Sequence, residues 1–247
     1  MANLKAIAQA TLSYEHANGA FPPGMIWSIE PGVAARESSL RTGAGALVAI
    51  RNDGKAAVGF ARFWNVTARE NFGHDLAHAW SDAPSGYAEE VEFRDSLVVR
   101  NIAEKHLVET EGDAALHVFG STFARNETGA ATLQADDASS SVYMYGSIFD
   151  DDAALMDRVP PSPSMFALMA RSPGAADGIS TVFRDDPLFE DADHDDFRLR
   201  PSSPALDRMW DLPPANGVDR AGNPRTVDLP WVPDFDTPRD LGCFELQ

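Results

Sequence analysis

Four stretches of the chain repeat one alternation of apolar and polar positions. ARFWNVTAREN ends at Asn71, VEFRDSLVVRN at Asn101, LHVFGSTFARN at Asn126 and VYMYGSIFDDD at Asp152, in steps of 30, 25 and 26 residues. A period in that range is the mark of a solenoid, in which each unit buries its apolar face only by stacking on its neighbours. Within a unit, alternate side chains are apolar or small, the pattern of a strand with one buried face. Superposing the units predicts four inward columns: Ala61, Val91, Leu116 and Val142; Phe63, Phe93, Val118 and Met144; Val66, Ser96, Ser121 and Ser147 at a bend; Ala68, Val98, Phe123 and Phe149. A further column, Asn71, Asn101, Asn126 and Asp152, reads as a turn ladder, because Asn tolerates left-handed backbone angles and stacked amides can bond to one another. LVET from Leu107 and ATLQ from Ala131 predict a third strand per unit.

Outside the repeats the pattern changes. Leu4, Ile7, Ala8, Thr11 and Leu12 fall on one face of a helix that Asn18-Gly19 stops and Pro22-Pro23-Gly24 forbids to continue. Residues 160–174 are rich in Pro and Ser and read as a loop leaving the repeats. The proline-rich stretch from Pro201 to Gln247 reads as extended chain wrapped along them. These boundaries predict an N-terminal helix and turn over 1–24, β-rungs over 25–185 and a C-terminal cap over 186–247.

The tail carries a resemblance. DPLFEDADHDDFRLRPSSPALD runs from Asp186 to Asp207, DRAGNPR from Asp219 to Arg225 and DLGCFE from Asp240 to Glu245. This resembles the C-terminal cap of bacterial surface and secreted proteins built on a right-handed parallel β-helix of the pectin-lyase-like type. The resemblance implies an all-β solenoid, with the N-terminal amphipathic helix closing one end and an irregular cap the other. It also implies a place outside a bacterial cell or on its surface, and it names no reaction. Residues 3–24, NLKAIAQATLSYEHANGAFPPG, resemble the segment after the membrane helix of bacterial pilin-like (pseudopilin) proteins. That second resemblance implies a filament subunit; the other reading of the same residues is a simple cap.

Charge narrows the partners. The formal net charge is -18 and lysine occurs only at positions 5, 55 and 105, which argues against nucleic acid, since phosphate neutralisation needs clustered cations. No apolar run is long enough to span a bilayer, and no export signal is visible at Met1-Ala2-Asn3. Cys243 is the only cysteine, so no disulfide forms within the chain.

Candidate chemistry lies in two places. Asp191, Asp193 and Asp195 alternate as in a calcium loop, though the glycine and distant Glu of an EF-hand are missing. The protein thus requires no cofactor, and calcium is the one the sequence suggests; Asp150-Asp151-Asp152 is a weaker cluster. On the repeats, Trp64, Arg94, Phe119 and Tyr145 should line up outward, with His117 and Tyr143 alongside in the row of Arg62 and Glu92. Aromatic faces stack on sugar rings while nearby polar groups fix orientation. Two readings of this stripe stand: a glycan-binding face, or a surface on which the C-terminal stretch lies. The facing carboxylates of a glycosidase and the Arg or Lys base of a lyase are not recognisable, and Phe72-Gly73-His74-Asp75 is the nearest approach to a catalytic motif. The sequence therefore assigns no catalytic residue. It points first to a non-catalytic extracellular or cell-surface protein, glycan-binding or adhesive. A polysaccharide lyase or hydrolase and a pilin-like subunit, as an oligomer or filament, are the alternatives.

Overall fold

A computed structural model describes residues 48–52, 60–81, 90–135, 140–161, 163–209, 217–233 and 237–247. The helix expected over 1–24, and with it the pilin-like segment, lies outside the described residues. What is described is nearly all β, with parallel sheets; its one helical element is a short 3-10 turn, Ala192–His194.

The chain runs in successive turns. One turn comprises Phe60–Trp64, Thr67–Arg69, Phe72–Gly73 and Ala77–Ser81; the next comprises Glu90–Arg94, Leu97–Val99, Ile102–Ala103 and Val108–Gly112. The third repeats this order at Ala115–Phe119, Thr122–Ala124, Glu127–Thr128 and Leu133–Ala135. Each strand pairs in parallel with its counterpart one turn on, so the strands fall into sheets of five, six, three and four strands. The sequence-derived register holds residue for residue. Ala61 stands beside Val91, Val91 beside Leu116 and Leu116 beside Val142; Phe63, Phe93, Val118 and Met144 form the next column, and all eight are buried. The Phe63 and Phe93 rings stack at 4.5 Å, and Phe93 meets Phe123 edge-on at 5.3 Å.

The stretch 160–174 does not leave the turns. Ser164–Phe166 pairs beside Ser141–Tyr145, and Leu168–Ala170 beside Ile148–Asp150, adding Met165 and Ala170 to the buried columns. The Pro and Ser residues flank a short alternating run, MFALMA, too brief to stand out against them.

Corners repeat as strictly as strands. Between the five- and six-stranded sheets every turn has a left-handed residue: Asn65, Asp95, Gly120, Gly146 and Ala167, with φ from 47° to 59°. The next residue in three of these corners is a buried serine. Ser96 Oγ accepts a bond from Val66 N (3.2 Å) and donates to Phe63 O (2.7 Å), and the Ser121 and Ser147 hydroxyls likewise accept from the backbone N–H one turn below. At the following corner the left-handed residues are Glu70, Arg100 and Arg125, not the asparagines after them. The asparagines serve through their amides: Asn71 Nδ2 donates to Asn101 Oδ1 (2.7 Å), Asn101 Nδ2 to Asn126 Oδ1 (2.9 Å) and Asn126 Nδ2 to Asp151 Oδ1 (3.1 Å). The ladder thus ends on Asp151, one residue before the expected Asp152, whose side chain is 96% exposed. Asp151 is where the Asn126 amide finds an acceptor.

The C-terminal segment packs along the flank, not over the end. The six-stranded sheet is buried on both faces: Val98, Phe123 and Phe149 face the interior, while Leu97, Val99, Ala124, Ile148 and Met169 face Phe189, Phe197, Leu199, Leu206 and Leu241. These five C-terminal residues are buried as the cap reading requires, but against turns from first to last; Arg220 Nη2 even donates to Thr67 Oγ1 (2.8 Å). The motif residues of the tail form one polar network beneath it. Asp219 accepts from Ala221 N (2.9 Å), Asn223 N (2.7 Å) and Glu245 N (3.0 Å). Asp240 accepts from Asp207 N (2.9 Å) and Leu246 N (2.7 Å). Arg225, fully buried, donates to Gly242 O (2.9 Å) and stands 3.4 Å from Asp95 and 3.7 Å from Glu245. A Cβ at Gly120 would lie 2.6 Å from Arg225 Nη2, which is why that corner carries glycine.

Candidate functional site

The outward face of the five-stranded sheet assembles the residues that the sequence grouped. Because Phe63, Phe93, Val118 and Met144 point inward, their neighbours must point outward. Parallel register then sets Trp64, Arg94, Phe119 and Tyr145 in one row and adds Phe166 to it. The Arg94 guanidinium lies between two rings, 5.4 Å from the Trp64 centroid and 4.8 Å from that of Phe119. Phe119 and Tyr145 follow at 5.6 Å, and Tyr145 stacks on Phe166 at 5.2 Å. The inner row is Arg62, Glu92, His117 and Tyr143, with His117 edge-on to Tyr143 at 4.9 Å. Tyr143 is exposed and the rest of the aromatic row half-buried. The apolar cluster formed by the C-terminal segment takes no member from this face.

A polar patch borders the rings. Arg94 Nε donates to Glu92 Oε1 (2.7 Å), Arg62 Nε lies 3.5 Å from Glu92 Oε2 and 3.7 Å from Glu90 Oε1, and His117 Nδ1 lies 3.4 Å from Glu90 Oε1. Burial pushes the Glu92 carboxyl above its usual range, against the pull of Arg94. Burial also works to raise Glu90, but the His117 contact and the nearby Arg62 charge hold it below its usual range. Two outward carboxyls on one strand are thereby driven apart in acidity. Sequence reasoning placed Glu92 but missed Glu90 and Phe166: Glu90 precedes the aligned positions of its unit, and Phe166 sits in the stretch read as a loop.

The acidic turn meets basic side chains. Asp195 binds Arg100 Nε (2.6 Å) and Arg69 Nη2 (2.9 Å), Asp193 lies 3.3 Å from Arg125 Nη2, and Asp191 lies 2.7 Å from His194 Nδ1. Asp195 and Asp193 reach arginines on three successive turns, pinning the C-terminal segment to the sheet. Asp150, Asp151 and Asp152 are separated too: Asp150 meets Arg171 (2.6 Å), Asp151 ends the amide ladder and Asp152 faces solvent.

Among the described residues, two groups bring three metal-ligating side chains together: Glu90, Glu92 and His117 on this face, and Asp75, His78 and Glu109 on the four-stranded sheet. The second group went unseen because its members lie on different turns. Aligning LAHAW at Leu76 with LVETE at Leu107 would have set His78 beside Glu109, as the structure does. No helix among the described residues is long and apolar enough to cross a membrane. No protein family, curated protein or solved structure matches this chain.

Proposed function

We propose that the chain is a right-handed parallel β-helix of the pectin-lyase-like type that binds glycan outside a bacterial cell, or on its surface, as a non-catalytic protein. The fold reading is supported by the residue-for-residue parallel register of successive turns and by the tail motifs, whose Asp, Arg and Glu residues join in one buried network. The observation that carries the function is the row Trp64, Arg94, Phe119, Tyr145 and Phe166. It is a ladder of flat side chains on a rigid sheet, outside the apolar cluster of the C-terminal segment. Rings spaced by strand pairing, about 4.8 Å apart along the sheet normal to the strands, offer an extended platform rather than a pocket, which suits a polymer chain. Arg62, Arg94 and His117 beside it offer donors to hydroxyl or carboxylate groups of the sugar.

A second reading, glycan cleavage, is favoured by one observation: Glu90 and Glu92 lie together beside His117 with their acidities pushed in opposite directions, the condition for an acid and a base in one site. A binding screen over neutral and acidic polysaccharides, run with a parallel assay for released reducing or unsaturated ends, separates the two. Binding without release is expected, with Trp64→Ala or Tyr145→Ala weakening it by about 1–2 kcal/mol, roughly 5- to 30-fold, while the protein stays folded. Release of ends that Glu92→Gln abolishes would establish the second reading in place of the first. No binding to any polysaccharide in the screen would remove both.

A further inference from the structure

We propose that Asp75, His78 and Glu109, with His106 beside Glu109, form a binding site for a divalent first-row transition metal, of which zinc is the type. The site stands on the four-stranded sheet and is independent of the aromatic face. Ala77 and Ala79 are buried, so His78 points outward, and the parallel register sets it directly beside Glu109 one turn on. One ligand atom from each of Asp75, His78 and Glu109 lies within 4.8 Å of the others. Asp75 Oδ2 is 3.5 Å from His78 Nδ1, and Glu109 Oε1 is 3.4 Å from His106 Nδ1. Ligands about 2.0–2.1 Å from a zinc ion at tetrahedral angles stand about 3.3–3.4 Å from one another, so Asp75 and His78 are already near coordination spacing.

Burial distinguishes this group from an ordinary acidic surface. Asp75 is 2% exposed, Glu109 1% and His106 4%. Asp75 Oδ1 has no hydrogen-bond partner, and His106 Nδ1 faces Glu109 at 3.4 Å. The far side of the His106 ring faces a carboxylate, with Nε2 3.6 Å from Asp157 Oδ2. The His106 ring is thus held between Glu109 and Asp157 and steadies the Glu109 carboxylate from behind. His74 Nδ1, 2.9 Å from Asp75 Oδ2, steadies the other carboxylate. One imidazole and two carboxylates, with a fourth position left open, suit zinc and its neighbours; calcium takes six or more oxygens and has no use for the nitrogen. Lys105 Nζ contacts Glu109 Oε1 and competes with an ion for it, and its half-exposed side chain has room to swing aside.

The test is calorimetric titration of the full chain with zinc chloride, with calcium chloride as the control. One equivalent of zinc is expected to bind, with no saturable calcium binding at these residues. His78→Gln should weaken zinc at least about tenfold. Lys105→Gln should tighten zinc severalfold, a gain that no damage to the fold would produce. The proposal is overturned by absence of saturable zinc binding, by binding that His78→Gln leaves intact, or by binding that His117→Gln abolishes instead, which would place the ion on the aromatic face.

Discussion

Replacing Arg225 with methionine isolates what holds the C-terminal segment to the turns. The guanidinium is buried, and of its nitrogens Nε and Nη1 make no hydrogen bond. Its contribution is therefore mainly charge compensation, together with the Nη2 bonds to Gly242 O and, weakly, to Met209 Sδ. Two carboxyls face it, Asp95 at 3.4 Å and Glu245 at 3.7 Å. Burial pushes Glu245 up to about 8, so near pH 7 it is largely neutral and the ion pair to count is the one with Asp95. At 3.4 Å and an effective dielectric of about 20, that attraction is about 5 kcal/mol. Arg225→Met keeps the stem's packing but strands Asp95, which places the loss at about 3–5 kcal/mol. At about 2–4 °C per kcal/mol for a domain of this size, the melting temperature should fall by roughly 6–20 °C. Denaturant and thermal unfolding at pH 7 measure it. Adding Asp95→Asn should recover at least about 1 kcal/mol, because the stranded charge is then gone. A single variant within about 1 kcal/mol of the parent, or a double variant no better than the single, would refute the assignment of this arginine as counter-charge.

Two further outcomes are expected. Phe93→Ala removes a ring stacked on Phe63 and edge-on to Phe123, and should cost about 3–5 kcal/mol in equilibrium unfolding; a loss below about 1 kcal/mol would mean the column is not close-packed. Asp151, fully buried, is pushed up to about 7 by desolvation. A carboxyl raised on folding contributes stability that is complete below its unfolded pKa of about 4 and is lost as pH rises through its folded value of about 7, so melting temperature should decline between about pH 4 and pH 7 and level off above. Asp151→Asn extends the amide ladder without a charge. It should flatten that decline and raise stability at pH 8 by an amount on the order of a few kcal/mol; an unchanged pH profile would contradict the titration of Asp151.

The inward columns were legible because strand alternation and a near-constant period act together: once Phe63 is aligned with Phe93, the pleat decides every neighbour. The outward row followed from the same register. What the sequence hid were properties set by packing across turns. Whether Asn or the residue before it takes the left-handed angle depends on which atom must reach the next turn, and Glu70, Arg100 and Arg125 have no side-chain signature for that role. The six-stranded sheet betrayed its second buried face in LVV at Leu97, but the period-two reading treats such a run as a broken alternation. His78 and Glu109 carry no shared motif, because 31 residues separate them and only the register of a neighbouring strand joins them. At the acidic turn Asp191–Asp195 the sequence could not show the partners that the fold brings to the carboxylates. Its spacing suggested one cation at the centre, while register across turns brings Arg69, Arg100 and Arg125 to Asp195 and Asp193.

The segment laid along the flank changes how the molecule can fold. Stacked turns that touch only their neighbours unravel piecewise, from either end, with stability that adds turn by turn. Here Thr67 in the first complete turn is tied to Arg220, 153 residues away, and Thr122 accepts a bond from Cys243 N, 121 residues away. Such ties raise contact order, so they close slowly and late, and they make the loss of one turn cost contacts with all the others. A nascent chain that has emerged only to Asp185 has its turns but still shows the bare apolar side of Leu97, Val99, Ile148 and Met169. Completion of the last sixty or so residues is then the event that turns a divisible stack into one cooperative unit.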